Sequence, residues 1–367
     1  EEFRLGADPT NPDTDGDGNM LVVGEGVELP AIYVLVGEYG VATLDETFRF
    51  KTQPTIEEGK ETVLVGYDDK EAPELSVEVE GVDTTAGTVT YQWYTRGKYG
   101  SEETLDNATE ATYKIPTGRS VGEHNYYCTA TYTDNAGNSK TITSKLVTFT
   151  VEEGAVEVTL TGGTKHYRTL VEALNEVDKA IGHSPQITMR FIKDINDASM
   201  NSKTLTLHDE KLTIDLNGCE VGYKEDGSWN KDKFHLVFDA QSEGRVIVQD
   251  SSTGQSGYLH GTLETKKPSL TIESGTYDNL IAVNGTWLCL NGGTSKGTVT
   301  IGDTEVGTND ATVCDIQKGT YDKVDVYNNV KLKVHDADIT SLQVHHTTDA
   351  AAEVILFGGY YGEISVS

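Results

Sequence analysis

The feature that most constrains this fold is a repeat in the C-terminal part of the chain. Five segments share the form apolar–x–apolar, two further residues, a small residue and a second strand-like stretch. The small residue recurs in steps of 18, 26, 18 and 22 residues, at Gly275, Gly293, Gly319, Ala337 and Gly359. Such a period predicts a solenoid, whose coils bury their inward side chains by stacking on each other. A recurrent glycine or alanine is expected at a tight corner between strands.

An amphipathic helix is predicted at the start of the solenoid. Thr169 and Glu172 have the spacing of a capping box. The apolar residues of one helical face are Leu170, Leu174, Val177 and Ile181. Such a helix, over about 169–181, would cover the open end of the solenoid, whose strand edge would otherwise pair with other chains.

The strands that follow the helix carry a family resemblance. Among them is the run Thr-Ile-Asp-Leu-Asn-Gly at 213–218. In this run and in the alternation of strand and turn after it, the chain resembles bacterial pectate-lyase-like parallel β-helix proteins. The resemblance covers roughly residues 155–367 and is architectural. It implies an all-β fold with a right-handed parallel β-helix, which we assign to residues 153–367.

Residues 57–152 have the size and strand pattern of a β-sandwich. Trp93 lies in a central strand-like run, and Tyr126 precedes Cys128 by two residues, which is the tyrosine-corner position of an immunoglobulin-like domain. Residues 75–79 stand where such a domain has its first cysteine, so Cys128 is expected to be a buried free thiol. The segment resembles bacterial immunoglobulin-like domains, which implies a spacer more often than a receptor. Residues 21–56 hold short strand-like runs of unclear fold.

Residues 1–20 form an acidic segment with calcium-binding chemistry. The candidate ligands are Asp8, Asn11, Asp13, Asp15 and Asp17. Calcium takes six to eight oxygen ligands, and an Asp-x-Asp-x-Asp-Gly loop can wrap three carboxylates around one ion. The segment resembles calcium-binding thrombospondin type 3 repeats, although the twelfth loop position is Gly24 rather than glutamate. We expect one structural Ca²⁺ here, and the alternative is an acidic linker without metal.

Composition excludes several classes of partner. The chain of 367 residues has 59 acidic and 29 basic residues and a net charge of −30, so nucleic acid and anionic membrane surfaces would repel it. No apolar run approaches the roughly 20 residues that span a bilayer. The four cysteines lack the spacing of a zinc site or a disulfide framework. Without an initiator methionine, and with a strand-like run at its C-terminus, the chain is expected to be a truncated piece of a larger exported protein.

A search for catalytic residues in the solenoid predicts none. Lyases and hydrolases of the resembled fold use clustered aspartates, and residues 155–367 contain no Asp-Asp pair and no Gly-His-Gly. Five aspartates could still meet on one face from separate coils: Asp215, Asp239, Asp250, Asp278 and Asp322. Asp278 and Asp322 share a repeat position, which favours a turn role. His345 and His346 are adjacent strand residues that point to opposite faces, so only one could reach a common site.

Four tyrosines of the repeat are candidates for ligand binding: Tyr277, Tyr321, Tyr360 and Tyr361. An outward ladder of aromatic rings would bind sugar rings or a protein surface. The alternative, which we favour, is a ladder of rings stacked inside the core.

The sequence therefore predicts a fragment of an extracellular protein of the bacterial cell surface. Its expected role is adhesion, the binding of a host glycoprotein, immunoglobulin or glycan through the lateral face of the β-helix. One alternative is a carbohydrate-active enzyme of the β-helix fold, either a polysaccharide lyase or a glycoside hydrolase. The other is a structural stalk whose binding end lies elsewhere.

Overall fold

The computed structural model describes residues 36–37, 40–41, 47–197, 202–303, 311–345 and 351–367. Within these ranges the chain is nearly all β, with one α-helix, as predicted. The chain divides into two compact units. One holds the described residues within 1–56, 74–114 and 125–148, and the other holds 57–73, 115–124 and the described part of 149–367. The domain boundaries inferred from the sequence stay predictions. No helix in the described ranges is long and apolar enough to cross a membrane.

The strands before residue 153 are mostly antiparallel. They are β1 (Val36–Gly37), β2 (Gly40–Val41), β3 (Arg49–Thr55), β4 (Thr62–Leu64), β5 (Glu74–Glu80), β6 (Gly87–Arg96), β7 (Glu102–Thr104), β8 (Thr112–Lys114), β9 (Gly122–Asp134), β10 (Ser139–Thr143) and β11 (Val147–Glu152). In the first unit, β7, β6, β9 and β10 pair in that order, and β3, β5 and β8 form a second sheet. In the second unit, β4 and β11 form a short parallel pair.

Aromatic residues join the two sheets of the first unit. Trp93 on β6 is fully buried, and its ring stacks on Tyr113 of β8 with 6.0 Å between ring centroids. The indole nitrogen of Trp93 donates a hydrogen bond to the carbonyl of Glu110 at 2.9 Å, so the buried polar atom is satisfied. Cys128 is buried and free, as predicted, and burial raises its pKa to about 12.

The main part of the second unit is a parallel β-helix. An antiparallel hairpin and then one α-helix precede it in the chain. Its elements are β12 (Val156–Leu160), β13 (Gly163–Tyr167), α1 (Leu170–Ala180), β14 (Gln186–Phe191), β15 (Ile195–Asn196), β16 (Ser202–Leu207), β17 (Lys211–Asp215), β18 (Glu220–Gly222), β19 (Lys224–Glu225), β20 (Ser228–Trp229), β21 (His235–Ala240), β22 (Arg245–Gln249), β23 (Tyr258–Thr265), β24 (Ser269–Ile272), β25 (Thr276–Ala282), β26 (Trp287–Leu290), β27 (Thr294–Ile301), β28 (Thr312–Val326), β29 (Val330–Val344), β30 (Glu353–Leu356) and β31 (Tyr360–Val366). Each strand of a coil pairs in parallel with the corresponding strand of the next coil, which makes three lateral faces.

The three faces are named here in chain order. The first face consists of β14, β17, β22, β24, β26, the N-terminal parts of β28 and β29, and β30. The second face consists of β15, β18 and the N-terminal or middle parts of β23, β25, β27, β28, β29 and β31. The third face consists of β16, β21 and the C-terminal parts of the same long strands. Between the faces lies a continuous apolar core.

The predicted helix exists and is capped as the sequence indicates. Thr169 is the N-cap, its hydroxyl accepts from the backbone N–H of Glu172, and the Glu172 carboxylate reaches back to the backbone of Thr169. The apolar face of the helix, including Leu170, Leu174 and Val177, is buried in the β-helix core. The helix therefore contributes apolar side chains to the first coil, as a cap requires.

The recurrent glycines lie at the corner between the first and second faces. Gly275, Gly293, Gly319 and Gly359 have φ angles between +86° and +129°, a region that side chains with a Cβ rarely adopt. Successive coils also approach closely here, because a Cβ added at Gly293 would lie 2.9 Å from the carbonyl oxygen of Gly275. The corner role predicted from the repeat is confirmed for these four glycines, and Ala337 is paired with Gly319 at the same position without a positive φ.

Candidate functional site

A row of outward side chains crosses four coils of the first face. Strands on this face alternate buried and solvent-facing residues. Lys211 pairs with Arg245, and Arg245 pairs with Ser269. Leu288 pairs with Leu270 on the next strand. Trp287 precedes Leu288 as Ser269 precedes Leu270, so Trp287 continues the row. We call Lys211, Arg245, Ser269 and Trp287 the outward row.

Trp287 is the most unusual member of this row, because a large apolar ring is left in solvent. It is 59% exposed, whereas Leu288 and Leu290 on the same strand are fully buried. The other two tryptophans, Trp93 and Trp229, are buried and half-buried. An exposed aromatic face of this kind is a platform for a ligand that has one apolar and one polar side.

The ring borders an open groove of about 600 Å³. The groove is lined by Ser242, Glu243, Gly244, Arg245, Lys267, Ser269, Thr271, Gly285, Trp287 and Cys289. The groove has hydroxyl groups from Ser242, Ser269 and Thr271, and a hydroxyl can both donate and accept hydrogen bonds. The combination of one aromatic ring with several polar groups is typical of ligand-binding clefts.

The groove is locally cationic in a strongly acidic chain. Arg245 and Lys267 are exposed, and neither forms an ion pair with any residue in the described ranges. Lys211, beside Arg245 in the outward row, is exposed and likewise without an ion pair among those residues. Glu243 is the one carboxylate among the residues that line the groove. The groove thus offers positive charge to an anion from outside.

The predicted tyrosine ladder divides between core and surface. Tyr277 and Tyr321 are 1% and 0% exposed, so neither can contact a ligand in solution, and their candidacy as binding residues is corrected. They belong to one inward column, in which Ser295 on the intervening coil leaves room for both rings. Tyr361 continues this column and is half-buried, whereas Tyr360 points outward and is 68% exposed. Of the four, Tyr360 alone has the exposure that a ligand contact needs.

A second cluster lies on the second face and contains a stack of three rings. The His260 ring lies between Tyr258 and Trp229, with centroid distances of 3.7 and 4.2 Å. Trp229 donates to the carboxylate of Glu220 at 2.5 Å, and Tyr258 donates to Asp278 at 2.7 Å. Nε2 of His260 is 3.5 Å from Glu220, which is longer than a well-formed hydrogen bond.

Burial governs the protonation of this second cluster. Desolvation lowers the pKa of His260, although the nearby carboxylates of Asp278 and Glu220 oppose the effect. Desolvation also raises the pKa of Tyr258, and its hydrogen bond to Asp278 adds to the shift. Both shifts favour the uncharged forms, the neutral imidazole and the protonated phenol. A neutral imidazole beside two carboxylates has the composition of an acid–base site.

The third face carries ion pairs, and two of its carboxylates, those of Asp325 and Glu264, are too far apart for a glycosidase pair. Asp325 contacts Lys323 at 2.7 Å and Nε2 of His345 at 3.2 Å. Glu264 lies in the same outward column as Asp325, three strand spacings away, or about 14 Å. Glycoside hydrolases place their two carboxyl groups roughly 5–9.5 Å apart. His346 lies outside the described residues, so its predicted orientation stays untested.

The five aspartates considered from the sequence do not form one cluster. Asp215 and Asp250 accept hydrogen bonds from backbone N–H groups of the turns at the end of the first face. Asp239 lies on the third face. Asp278 and Asp322 lie within β25 and β28, where the ladder shifts register between the second and third faces, rather than in a separate turn.

The predicted calcium ligands Asp8, Asn11, Asp13, Asp15 and Asp17 lie outside the described residues. In the part of the chain that the structure describes, no group of three or more histidine, cysteine, aspartate or glutamate side chains has a metal-binding arrangement. The calcium prediction is therefore carried forward as a proposal.

Comparison with known proteins adds little to this picture. No protein-family model matches the chain, and no curated protein matches it. Among solved structures, pectate lyase Pel3 from Pectobacterium carotovorum is 11% identical, with coverage of 82% of this chain and 91% of that one and a TM-score of 0.26. Pectate lyase PelI from Erwinia chrysanthemi, in complex with tetragalacturonic acid, is 10% identical, with coverage of 86% and 100% and a TM-score of 0.18. TM-scores this low carry no argument, so the β-helix rests on its own strand pairing.

Sequence reasoning missed the groove, although the repeat contained the signal. Each member of the outward row directly precedes an apolar–x–apolar triplet, as in Lys211 before Leu212 and Trp287 before Leu288. The repeat alignment used the triplets and the glycines after them. Extending the five segments by one residue towards the N-terminus gives Ser269, Trp287, Val313, Lys331 and Glu353. This places the tryptophan on the outward side but does not reach Lys211 and Arg245, whose coils precede the first of the five segments.

Proposed function

We propose that this chain is an extracellular binding module of the adhesin type, which holds a glycan in the groove on the first face. The observation that carries this proposal is the 59% exposed ring of Trp287 beside a groove of about 600 Å³ lined by hydroxyls and cations. Aromatic rings offer a sugar the apolar contact that its C–H faces need, and the surrounding polar groups supply orientation. A bacterial cell-surface location and a host glycoprotein as the bearer of the glycan belong to the same proposal.

A defined glycan array with three proteins tests this function. We expect Trp287→Ala to weaken binding at least tenfold, because the stacking surface is lost. The matched control is Phe357→Ala, which removes another exposed ring, 63% exposed and located after the last strand of the same face. Equal binding by Trp287→Ala and the unaltered chain would refute the groove as the site. A chain that binds no glycan or glycoprotein at all would favour the structural stalk.

A carbohydrate-active enzyme is the second candidate, and the cluster on the second face supports it. A buried neutral His260, with Glu220 and Asp278 close by, could move a proton to or from a sugar hydroxyl. Against this role, both faces of the His260 ring are covered by other rings. Release of reducing or unsaturated ends from an oligosaccharide, lost in Glu220→Gln and Asp278→Asn but kept in Trp287→Ala, would establish the enzyme and overturn the binding module.

For the N-terminal segment we propose one structural Ca²⁺, held by oxygens of Asp13, Asp15 and Asp17. Calcium should protect the first 20 residues from proteolysis, since binding favours the ordered loop. A triple Asp→Asn variant at the three positions serves as the control. If calcium and chelator give the same cleavage pattern for the unaltered chain, the segment is an acidic linker.

A further inference from the structure

The groove carries two cations that no carboxylate of the described residues neutralises, in a chain rich in acidic residues. With 59 acidic and 29 basic residues, a basic side chain has many potential partners. Arg190, two coils before Arg245 on the same face, contacts Glu157 at 3.5 Å and Asp215 at 3.7 Å. Arg245 and Lys267 have no ion pair with any described residue, although both line the groove. Their charges are thus available to a ligand.

The arrangement of these cations is unfavourable without an anion. Lys211 and Arg245 are direct register partners on adjacent parallel strands, about 4.8 Å apart. Like charges in directly opposed positions destabilise a sheet. An anion bound between them and Lys267 would remove the repulsion and gain charge-assisted hydrogen bonds. The guanidinium of Arg245 is suited to a planar carboxylate or a sulfate, which it can hold by two parallel hydrogen bonds.

The position of Trp287 indicates what the rest of the ligand is. It lies two strand spacings from Arg245 along the outward row, or about 10 Å, with the hydroxyls of Ser269 and Thr271 in the same groove. A ligand that fills this space has an anionic group at one end, hydroxyls in the middle and an apolar ring face at the other end. Net charge does not prevent its approach, because carboxylates farther than a Debye length of about 8 Å are screened at physiological ionic strength.

We infer that the groove binds an acidic saccharide, whose carboxylate or sulfate is held by Arg245 and Lys267 while a sugar ring stacks on Trp287. This inference rests on the proposed glycan-binding function and names its ligand class. A neutral sugar would leave both cations unpaired, and an acidic peptide would lack the ring face for Trp287.

Paired probes test the inference by calorimetric titration of the full chain. They are 3′-sialyllactose against lactose, free against methyl-esterified oligogalacturonate, and a sulfated oligosaccharide against its unsulfated form. An oligoglutamate peptide is the anion without a sugar. We expect each acidic sugar to bind at least tenfold more tightly than its neutral partner, with affinity that falls as salt is added. The sialyl, uronate and sulfate arms identify which acidic group fits.

Variants locate the contact. Arg245→Gln combined with Lys267→Gln should reduce acidic-sugar affinity at least tenfold and leave neutral-sugar affinity unchanged. The control is Lys331→Gln, an exposed lysine of the same face that does not line the groove.

Cys289 provides an independent readout, because it lines the groove and is partly exposed, whereas the other three cysteines are buried. Burial raises the pKa of its thiol, so protection by the sugar is measured as slower alkylation at alkaline pH.

The outcomes separate the two levels of the proposal. If neutral and acidic sugars bind equally and the double variant changes nothing, acidic recognition is wrong and glycan binding survives. If no sugar binds and none protects Cys289, both are wrong. If oligoglutamate binds as tightly as the acidic sugars, the groove attracts anions without recognising a saccharide, and the inference is overturned.

Discussion

Two tyrosines in the same inward column are expected to respond differently to loss of their hydroxyl. Tyr277 and Tyr321 are both fully buried and are separated by Ser295 on the intervening coil. Oη of Tyr321 lies within hydrogen-bond distance of two carbonyl oxygens, 2.8 Å from Lys318 and 3.2 Å from Gly292. Oη of Tyr277 has no hydrogen-bond partner among the described residues. The same Tyr→Phe change therefore removes a satisfied group from one coil and an unsatisfied one from the other.

The magnitudes follow from the cost of buried polar groups. Tyr321→Phe loses the hydrogen bonding of a fully buried hydroxyl to carbonyl oxygens, which costs about 1 kcal/mol. Tyr277→Phe removes a buried hydroxyl that has lost its hydrogen bonds to water and gained none in the fold. The change is therefore expected to be neutral or stabilising. The two variants should differ in the free energy of unfolding by at least about 1 kcal/mol.

Urea unfolding followed by tryptophan fluorescence, to which Trp229 and Trp287 of the β-helix contribute, measures the difference. The slope of the free energy with urea should stay constant, so that the midpoint reports stability. Tyr361→Phe is the internal control, because its Oη donates to Gly358 at 2.7 Å from a half-buried site where water can replace it. Equal destabilisation by Tyr277→Phe and Tyr321→Phe would refute the reasoning, since it would mean that the Tyr277 hydroxyl has a partner such as a buried water.

Three further changes test the scaffold by the same unfolding measurement. Thr169→Ala should cost about 1 kcal/mol through loss of the helix cap, and an unchanged midpoint would mean that the helix does not depend on it. Gly319→Ala should destabilise, because the φ of +129° and the backbone of Gly293 oppose a Cβ, whereas Gly162→Ala, with open space around it, should be neutral. Asp250 is buried, which raises its pKa, but hydrogen bonds from Ser252 and from backbone N–H groups hold the pKa below its usual range. Its contribution is therefore present above the unfolded-state pKa of about 3.9 and is lost as pH falls through the lower folded value. Asp250→Asn should flatten this acid limb, and an identical pH profile would contradict it.

The parts of the fold that could be predicted are those in which one residue type meets a local demand. Glycine recurs at Gly275, Gly293 and Gly319 because the corner requires positive φ and close backbone contact. The capping box of Thr169 and Glu172 is equally local, since donor and acceptor are three residues apart. Such features can be read from the sequence without knowledge of how distant segments meet.

The site could not be predicted in the same way, because its residues meet only through stacking of coils. Lys211, Arg245, Ser269 and Trp287 are 34, 24 and 18 residues apart, and these unequal steps conceal a regular row. The ring stack of the second face has the same origin, because Trp229 comes from a hairpin, β19–β20, that interrupts the repeat. The tyrosines were ambiguous for another reason: apolar character alone does not say whether a ring on a strand points in or out.

Arg245 has no ion pair with any residue that the structure describes, and this leads to a last prediction that separates binding from stability. If this side chain is held free for a ligand, Arg245→Gln should slightly raise the unfolding midpoint without ligand, because it removes the repulsion from Lys211. Arg190→Gln on the same face should lower it, since Arg190 contacts Glu157 and Asp215. Added salt should shrink both changes. Destabilisation by Arg245→Gln that matches Arg190→Gln would show a structural role for Arg245. That structural role would then explain the positive charge of the groove without a bound ligand.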